Sequence, residues 1–219
     1  YTLWRTLAKP TGLGYPGGMG AARFIGYAKT MFDVDIIKIA GGWEPALELA
    51  RKLKVLWLRT LPEMEDYFSW ITRECVDLEW SSPGDDRYAY VSPFGMVRRN
   101  CFYTEATNGA ALQTPTAEGA KIALWGLAKA CYDAKEKSPL LGCHMVAFIH
   151  DEVICEIPID DLMHERAFEI EKIMKEGMEK VMTQDKVSAS LALMLRWHKG
   201  AKAVFDTDKR LQIWTPKEP

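Results

Sequence analysis

The stretch that most constrains this chain is Ala147-Phe148-Ile149-His150-Asp151-Glu152-Val153-Ile154-Cys155-Glu156-Ile157-Pro158. An apolar run enters His150-Asp151-Glu152 and a second run leaves it. In the second run Val153, Cys155 and Ile157 fall on one side and Ile154 and Glu156 on the other, which is the period of a strand. Two strands joined by so short an acidic link predict a tight hairpin, with two adjacent carboxylates held over an apolar base. Carboxylates are the usual protein ligands of Mg²⁺, which keeps several waters and takes further ligands from substrate phosphates. The same pattern also suits a plain solvated hairpin tip, so the sequence upstream decides what the tip is for.

Composition narrows the class without naming a partner. The 219 residues are 48% hydrophobic and 26% charged, which suits one large domain or two small ones with a sizeable core. No apolar run approaches membrane-spanning length and no signal peptide is present, so no membrane partner is expected. A net charge of −2 means that any nucleic-acid contact must come from locally clustered Lys and Arg. Cys75, Cys101, Cys131, Cys143 and Cys155 are odd in number and form no C-x-x-C pair, which suits free thiols and a cytoplasmic location. The chain opens without Met, inside a segment patterned as structure, and reads as an excerpt from a longer protein.

The first nine residues are patterned as a helix, with Arg5 and Lys9 four apart on one face. Two cations on a helical face before the glycine-rich bend Gly14-Tyr15-Pro16-Gly17-Gly18 suit a triphosphate, although a solvated basic face has the same pattern. Pro10 is expected to bend or end that helix. Residues 21–70 read as helical, with Leu47, Ala50, Leu53 and Trp57, and then Tyr67, Phe68 and Ile71, at core spacing. The Ser-Pro-Gly-Asp cluster after Trp80 marks the best internal boundary, and Tyr88–Val91 is strand-like. Thr114 and Pro115 suit an N-cap and first helical position, with Gln113 just before them. Asp160–Met182 predicts an amphipathic helix, Val187–Met194 a loose strand, and the remainder a polar tail.

The order of these pieces is more specific than any one of them. Arg5-x3-Lys9 with its glycine-rich sequel, Arg98-Arg99 with Asn108 and Gln113, His150-Asp151-Glu152, and a closing strand near Trp197 together resemble the C-terminal part of family A (DNA polymerase I-like) DNA polymerases, especially phage-type members. The resemblance covers nearly the whole chain. It implies an α+β fold: a helical fingers subdomain over 1–80, then a palm over 81–219 whose antiparallel sheet carries the His-Asp-Glu hairpin. It also implies dNTP and primer–template DNA as partners, two Mg²⁺ ions, and a monomer acting in the cytoplasm, that of the host if phage-encoded.

Residue by residue, the resemblance makes Arg5 and Lys9 the ligands of the incoming nucleotide's phosphates, with Lys9 also catalytic, and sets Leu13 near the sugar. Gly17 stands where many members carry a Tyr beside the template base, and Tyr15 is the nearest substitute. Arg98, Arg99, Asn108 and Gln113 match a segment that tracks the primer–template minor groove, with the Asn-to-Gln spacing one residue longer than in the family. Asp151 matches a catalytic metal ligand, Glu152 its weaker neighbour, and His150 a contact to the primer terminus. Lys and Arg at 5, 9, 23, 29, 98, 99, 196 and 199 are expected to face the DNA.

The family's other catalytic aspartate lies upstream of the fingers helix, and Asp33 and Asp35 fall on the wrong element to replace it, so this chain alone is expected to be inactive. Two alternatives stay open. One is a different metal-dependent phosphoryl-transfer or hydrolytic enzyme, with Cys143, His144, His150 and Asp151 around a transition metal. The other is a helical interaction module in which His-Asp-Glu is a plain turn.

Overall fold

A computed structural model describes residues 2–92, 94–183 and 186–216. The fold is mixed α+β, mostly helical, with small sheets. The chain packs as two compact units, Tyr1–Thr114 and Pro115–Pro219. The division expected at 80/81 falls inside the first unit, in the loop before its hairpin. Among the described residues no helix is long and apolar enough to cross a membrane.

In the first unit α1 (Thr2–Gly14) leads through a 3₁₀ turn (Tyr15–Gly17) into α2 (Ala21–Phe32), α3 (Ile36–Ala40), α4 (Trp43–Thr60) and α5 (Glu63–Glu74). Tyr1, the start of the expected first helix, lies outside the described residues. Pro10 does not end α1: it is buried, and the Thr11 hydroxyl donates back to the Leu7 carbonyl at 2.6 Å as the helix carries on to Gly14. The helical reading of 21–70 is interrupted where the backbone turns left-handed, at Asp33 (φ 55°) and Gly41 (φ 84°), and again before Pro62. Leu7, Tyr15, Phe24, Ile25, Ile36, Ala46 and Ala50 form the core of this helical part. Tyr15 stacks on Phe24 with ring centroids 4.3 Å apart and donates its hydroxyl to the Ala50 carbonyl at 2.6 Å.

The same unit continues with an antiparallel hairpin of β1 (Tyr88–Val91) and β2 (Val97–Cys101). Next come α6 (Tyr103–Asn108) and a π turn (Gly109–Gln113). Tyr88, Tyr90, Cys101 and Ala106 pack with Ile71 and Cys75 in a second core cluster. Thr114 is not an N-cap: its backbone is helical and its N–H bonds to Gly109 O, five residues back. Tyr67 explains the widened turn. Its hydroxyl donates to Thr107 O (2.6 Å) and accepts from Ala111 N–H (3.3 Å), so it lies between two groups that an α-helix would join directly. Burial pushes the Tyr67 phenol up to about 12.

The second unit is built on α7 (Thr114–Tyr132) and α8 (Met163–Glu179), with the expected hairpin as β3 (His144–Ile149) and β4 (Glu152–Glu156). Leu127, Ala130, Cys131, Leu140 and Cys143 are the core, and Met145, Val153, Ile157, Ile170, Ile173 and Met174 close over it. The two helices meet through small residues. A Cβ on Gly177 would stand 2.5 Å from Ala123 Cα, and one on Gly119 would stand 2.7 Å from Met178 Sδ. In the turn before α8 the Asp160 carboxylate accepts from Leu162 N–H and is ion-paired with Arg166. The expected strand over 187–194 is reduced to β5 (Leu193–Met194). The expected polar tail instead contains β6 (Val204–Phe205) and β7 (Leu211–Trp214), giving a sheet ordered β5-β7-β6. This strand pair was hard to foresee because Val204 and Phe205 are two residues long among Lys, Asp and Arg, with no run of alternation to read.

Candidate functional site

The hairpin tip is a two-residue link. Ile149 pairs with Glu152, leaving His150 and Asp151 to make the turn, with His150 at φ 58°. His is among the non-glycine residues that tolerate this left-handed region. Behind the tip, Val153 and Ile157 pack on the core, as the alternation required. Cys155 joins them, and burial pushes its thiol up to about 12, so it behaves as a small hydrophobe. Asp151 and His150 are exposed and make no hydrogen bond or ion pair among the described residues. Glu152 is half-buried, and its Oε1 accepts a hydrogen bond from Trp197 Nε1–H at 2.9 Å.

The tip therefore offers one unengaged carboxylate and one held carboxylate with an oxygen to spare. That donor set fits Mg²⁺, which uses one or two carboxylates and completes its shell with water and substrate oxygens. The transition-metal alternative fares differently. His144 pairs with Glu156 at the far end of the hairpin from His150, and β3 is bulged at Val146, between the two. Cys143 is buried and its thiol is pushed up by burial, which opposes a thiolate ligand. Among the described residues no three His, Cys, Asp or Glu side chains form a group that could hold a metal ion.

In the first unit Arg5, Lys9 and Leu13 lie at successive i,i+4 positions on α1, and all three are exposed, while Leu7 and Pro10 are buried. The three span roughly 12 Å along the helix at 1.5 Å per residue. Lys9 Nζ lies 5.6 Å from the centroid of the Phe32 ring, near enough for a cation–π contact that restrains the long side chain. Other members of the expected basic set are already engaged. Lys29 pairs with Asp33 at 2.6 Å. Arg99 forks onto buried Asp77 (2.7 and 3.2 Å) and also meets Glu79 at 2.6 Å. Those bonds hold the Asp77 carboxyl below its usual range and the Arg99 guanidinium above its own. Arg99 is thus a clasp between β2 and the Asp77 loop, whereas Arg98, also exposed, makes no ion pair among the described residues.

The glycine-rich turn is a docking joint. A Cβ on Gly17 would stand 2.4 Å from Asn108 Nδ2, and one on Gly18, at φ 69°, would stand 2.5 Å from the Tyr103 ring. Asn108, half-buried, uses its amide to donate to Thr104 O at 2.9 Å. A side chain at position 17 would have to displace the Asn108 amide from this joint, and with glycine there none projects. Tyr15 cannot substitute for a base-stacking Tyr because it is fully buried. Gln113 is exposed at the end of the π turn, immediately before α7 as expected, although the backbone runs on helically from the turn rather than starting afresh at Thr114. In an α-helix residues five apart differ by about 140°, whereas the i→i+5 bonds of a π turn bring Asn108 and Gln113 one turn apart.

Sequence reasoning missed Trp197, Tyr67 and Tyr90 as parts of these sites. The hydroxyl of Tyr90 lies 3.0 Å from Thr114 Oγ1, and a Cβ on Gly109 would come within 2.1 Å of it. Aromatic residues at core spacing carry no signal for the direction of a hydroxyl or an indole N–H. No protein-family model and no curated protein matches this chain.

Proposed function

We propose that this chain is the fingers and palm portion of a family A DNA polymerase, transferring a nucleotide from a dNTP to a primer 3′-hydroxyl as a template directs. The observation that carries the proposal is the exposed, unengaged Asp151 carboxylate beside Glu152 at the tip of a two-residue hairpin with an apolar base. Arg5 and Lys9 bind the nucleotide's phosphates, and Lys9 offsets the charge that develops on the transferring phosphoryl group. Leu13 packs beside the sugar. His150 meets the primer terminus, and Arg98 and Gln113 contact the minor groove, with Asn108 supporting them from its half-buried position. Minor-groove contacts are largely blind to sequence, as a polymerase needs. Asp151 and Glu152 would hold Mg²⁺, two ions in the family's scheme, which when bound activate the 3′-hydroxyl and stabilise the pyrophosphate leaving group. The enzyme works as a monomer within a longer chain, in the cytoplasm.

Equilibrium binding of a dNTP in the presence of Mg²⁺ tests the nucleotide half of the proposal. Losing a hydrogen bond to a charged group removes about 1.5–3 kcal/mol, so Arg5→Ala or Lys9→Ala is expected to weaken binding roughly 10- to 100-fold. Lys38→Ala, an exposed cation on α3, is expected to leave it unchanged. Equal affinities across all three variants would count against the proposal.

A further inference from the structure

Trp197 is more than half exposed (51%), so its ring is not there to fill a core. Its one polar atom, the indole N–H, reaches Glu152 Oε1 at 2.9 Å across 45 residues of sequence. The turn that carries it is braced from behind. His198 N–H donates to Met194 Sδ at 3.2 Å, and Gly200 N–H donates to His198 Nδ1 at 3.0 Å. The His198 ring lies 5.0 Å from that of Trp214 on β7. An indole only donates, so it has no use at this place except to hold an acceptor.

We infer that Trp197 is a positioning residue for the hairpin tip: it fixes the Glu152 carboxylate by one oxygen and presents the other to the divalent cation held with Asp151. This rests on the metal role proposed for the tip. The bond restrains a Glu side chain that has three torsions of its own. Outer partners that orient metal ligands commonly affect metal affinity or activity 10- to 100-fold.

Two measurements on the folded protein test it, neither requiring catalysis. The first is Mn²⁺ binding followed by electron paramagnetic resonance. Trp197→Phe keeps the ring and loses the donor, and is expected to weaken Mn²⁺ binding about 10-fold or more at an unchanged unfolding temperature. In a Glu152→Ala background the same change is expected to add nothing. The second is the indole ¹H–¹⁵N resonance of Trp197, identified by its disappearance in Trp197→Phe and expected to shift in Glu152→Ala. Unaltered Mn²⁺ affinity in Trp197→Phe, or an indole resonance blind to Glu152→Ala, overturns the inference. If Mn²⁺ binding responds as expected while the protein that carries this chain, with the upstream aspartate the family supplies, incorporates no nucleotide, the polymerase assignment fails and the positioning role of Trp197 stands.

Discussion

Replacing Asp151 by Asn in the protein that carries this chain is expected to lower nucleotide incorporation by about 10³-fold, the scale of losing one preorganised charge from a transfer site. The side chain is exposed and bonded to nothing else among the described residues, so shape and fold are kept and the charge alone is removed. Glu152, with one oxygen committed to Trp197 and its other already assigned to the cation, has none left to replace the lost carboxylate. The loss is expected in the rate of the chemical step, measured by single-turnover incorporation. Ground-state dNTP affinity, assigned in the proposal to Arg5 and Lys9, is expected to change much less. Incorporation within 10-fold of wild type would mean that the hairpin tip is an ordinary turn.

Gly177→Ala is expected to lower the stability of the second unit by about 2 kcal/mol. Helix propensity alone points the other way, since Ala is better than Gly by about 1 kcal/mol inside a helix. The new Cβ would meet Ala123 Cα at 2.5 Å and Ala123 N at 2.6 Å. These are backbone atoms with no flexible end to swing aside, so α7 and α8 must separate along their contact and loosen the core under the hairpin. Gly26→Ala in α2 is the control of opposite sign: its Cβ meets nothing within 4 Å, and it is expected to be neutral or stabilising. Thermal unfolding reads both, with a fall of several degrees for Gly177→Ala.

The hairpin was legible because period-2 alternation, a two-residue acidic link and an apolar inner face all agree on one register. The helices of 21–70 and 160–182 were legible for a similar reason, since Leu47-Ala50-Leu53-Trp57 and Met163-Ala167-Ile170-Met174 each mark one face. Their breaks were less so. Asp33 is a left-handed cap only because the chain turns there, and no pattern in its neighbours says so. The π turn was hidden because its cause is Tyr67, a hydroxyl arriving from 40 residues away in sequence to bond Thr107 O. Asn108 and Gln113 were identifiable as a polar pair with a spacing one residue longer than in the family, but not the π turn that lies between them. The paired arginines read alike in sequence, and only the buried Asp77 separates Arg99, a clasp, from Arg98, which makes no ion pair among the described residues. Arg5 and Lys9 were legible as one face because i,i+4 spacing decides that, whereas Leu13 joins them only because α1 runs on through Pro10, a residue expected to bend or end it.

The most direct measurement is single-nucleotide incorporation by the protein that carries this chain, with Mg²⁺, on four primer–templates that differ only in the templating base. The expected result is that each template selects its complementary dNTP, that the primer grows by one nucleotide, and that Asp151→Asn abolishes the product on all four. Extension that ignores the template, or a dNTP consumed at the same rate without any primer, would contradict the assignment.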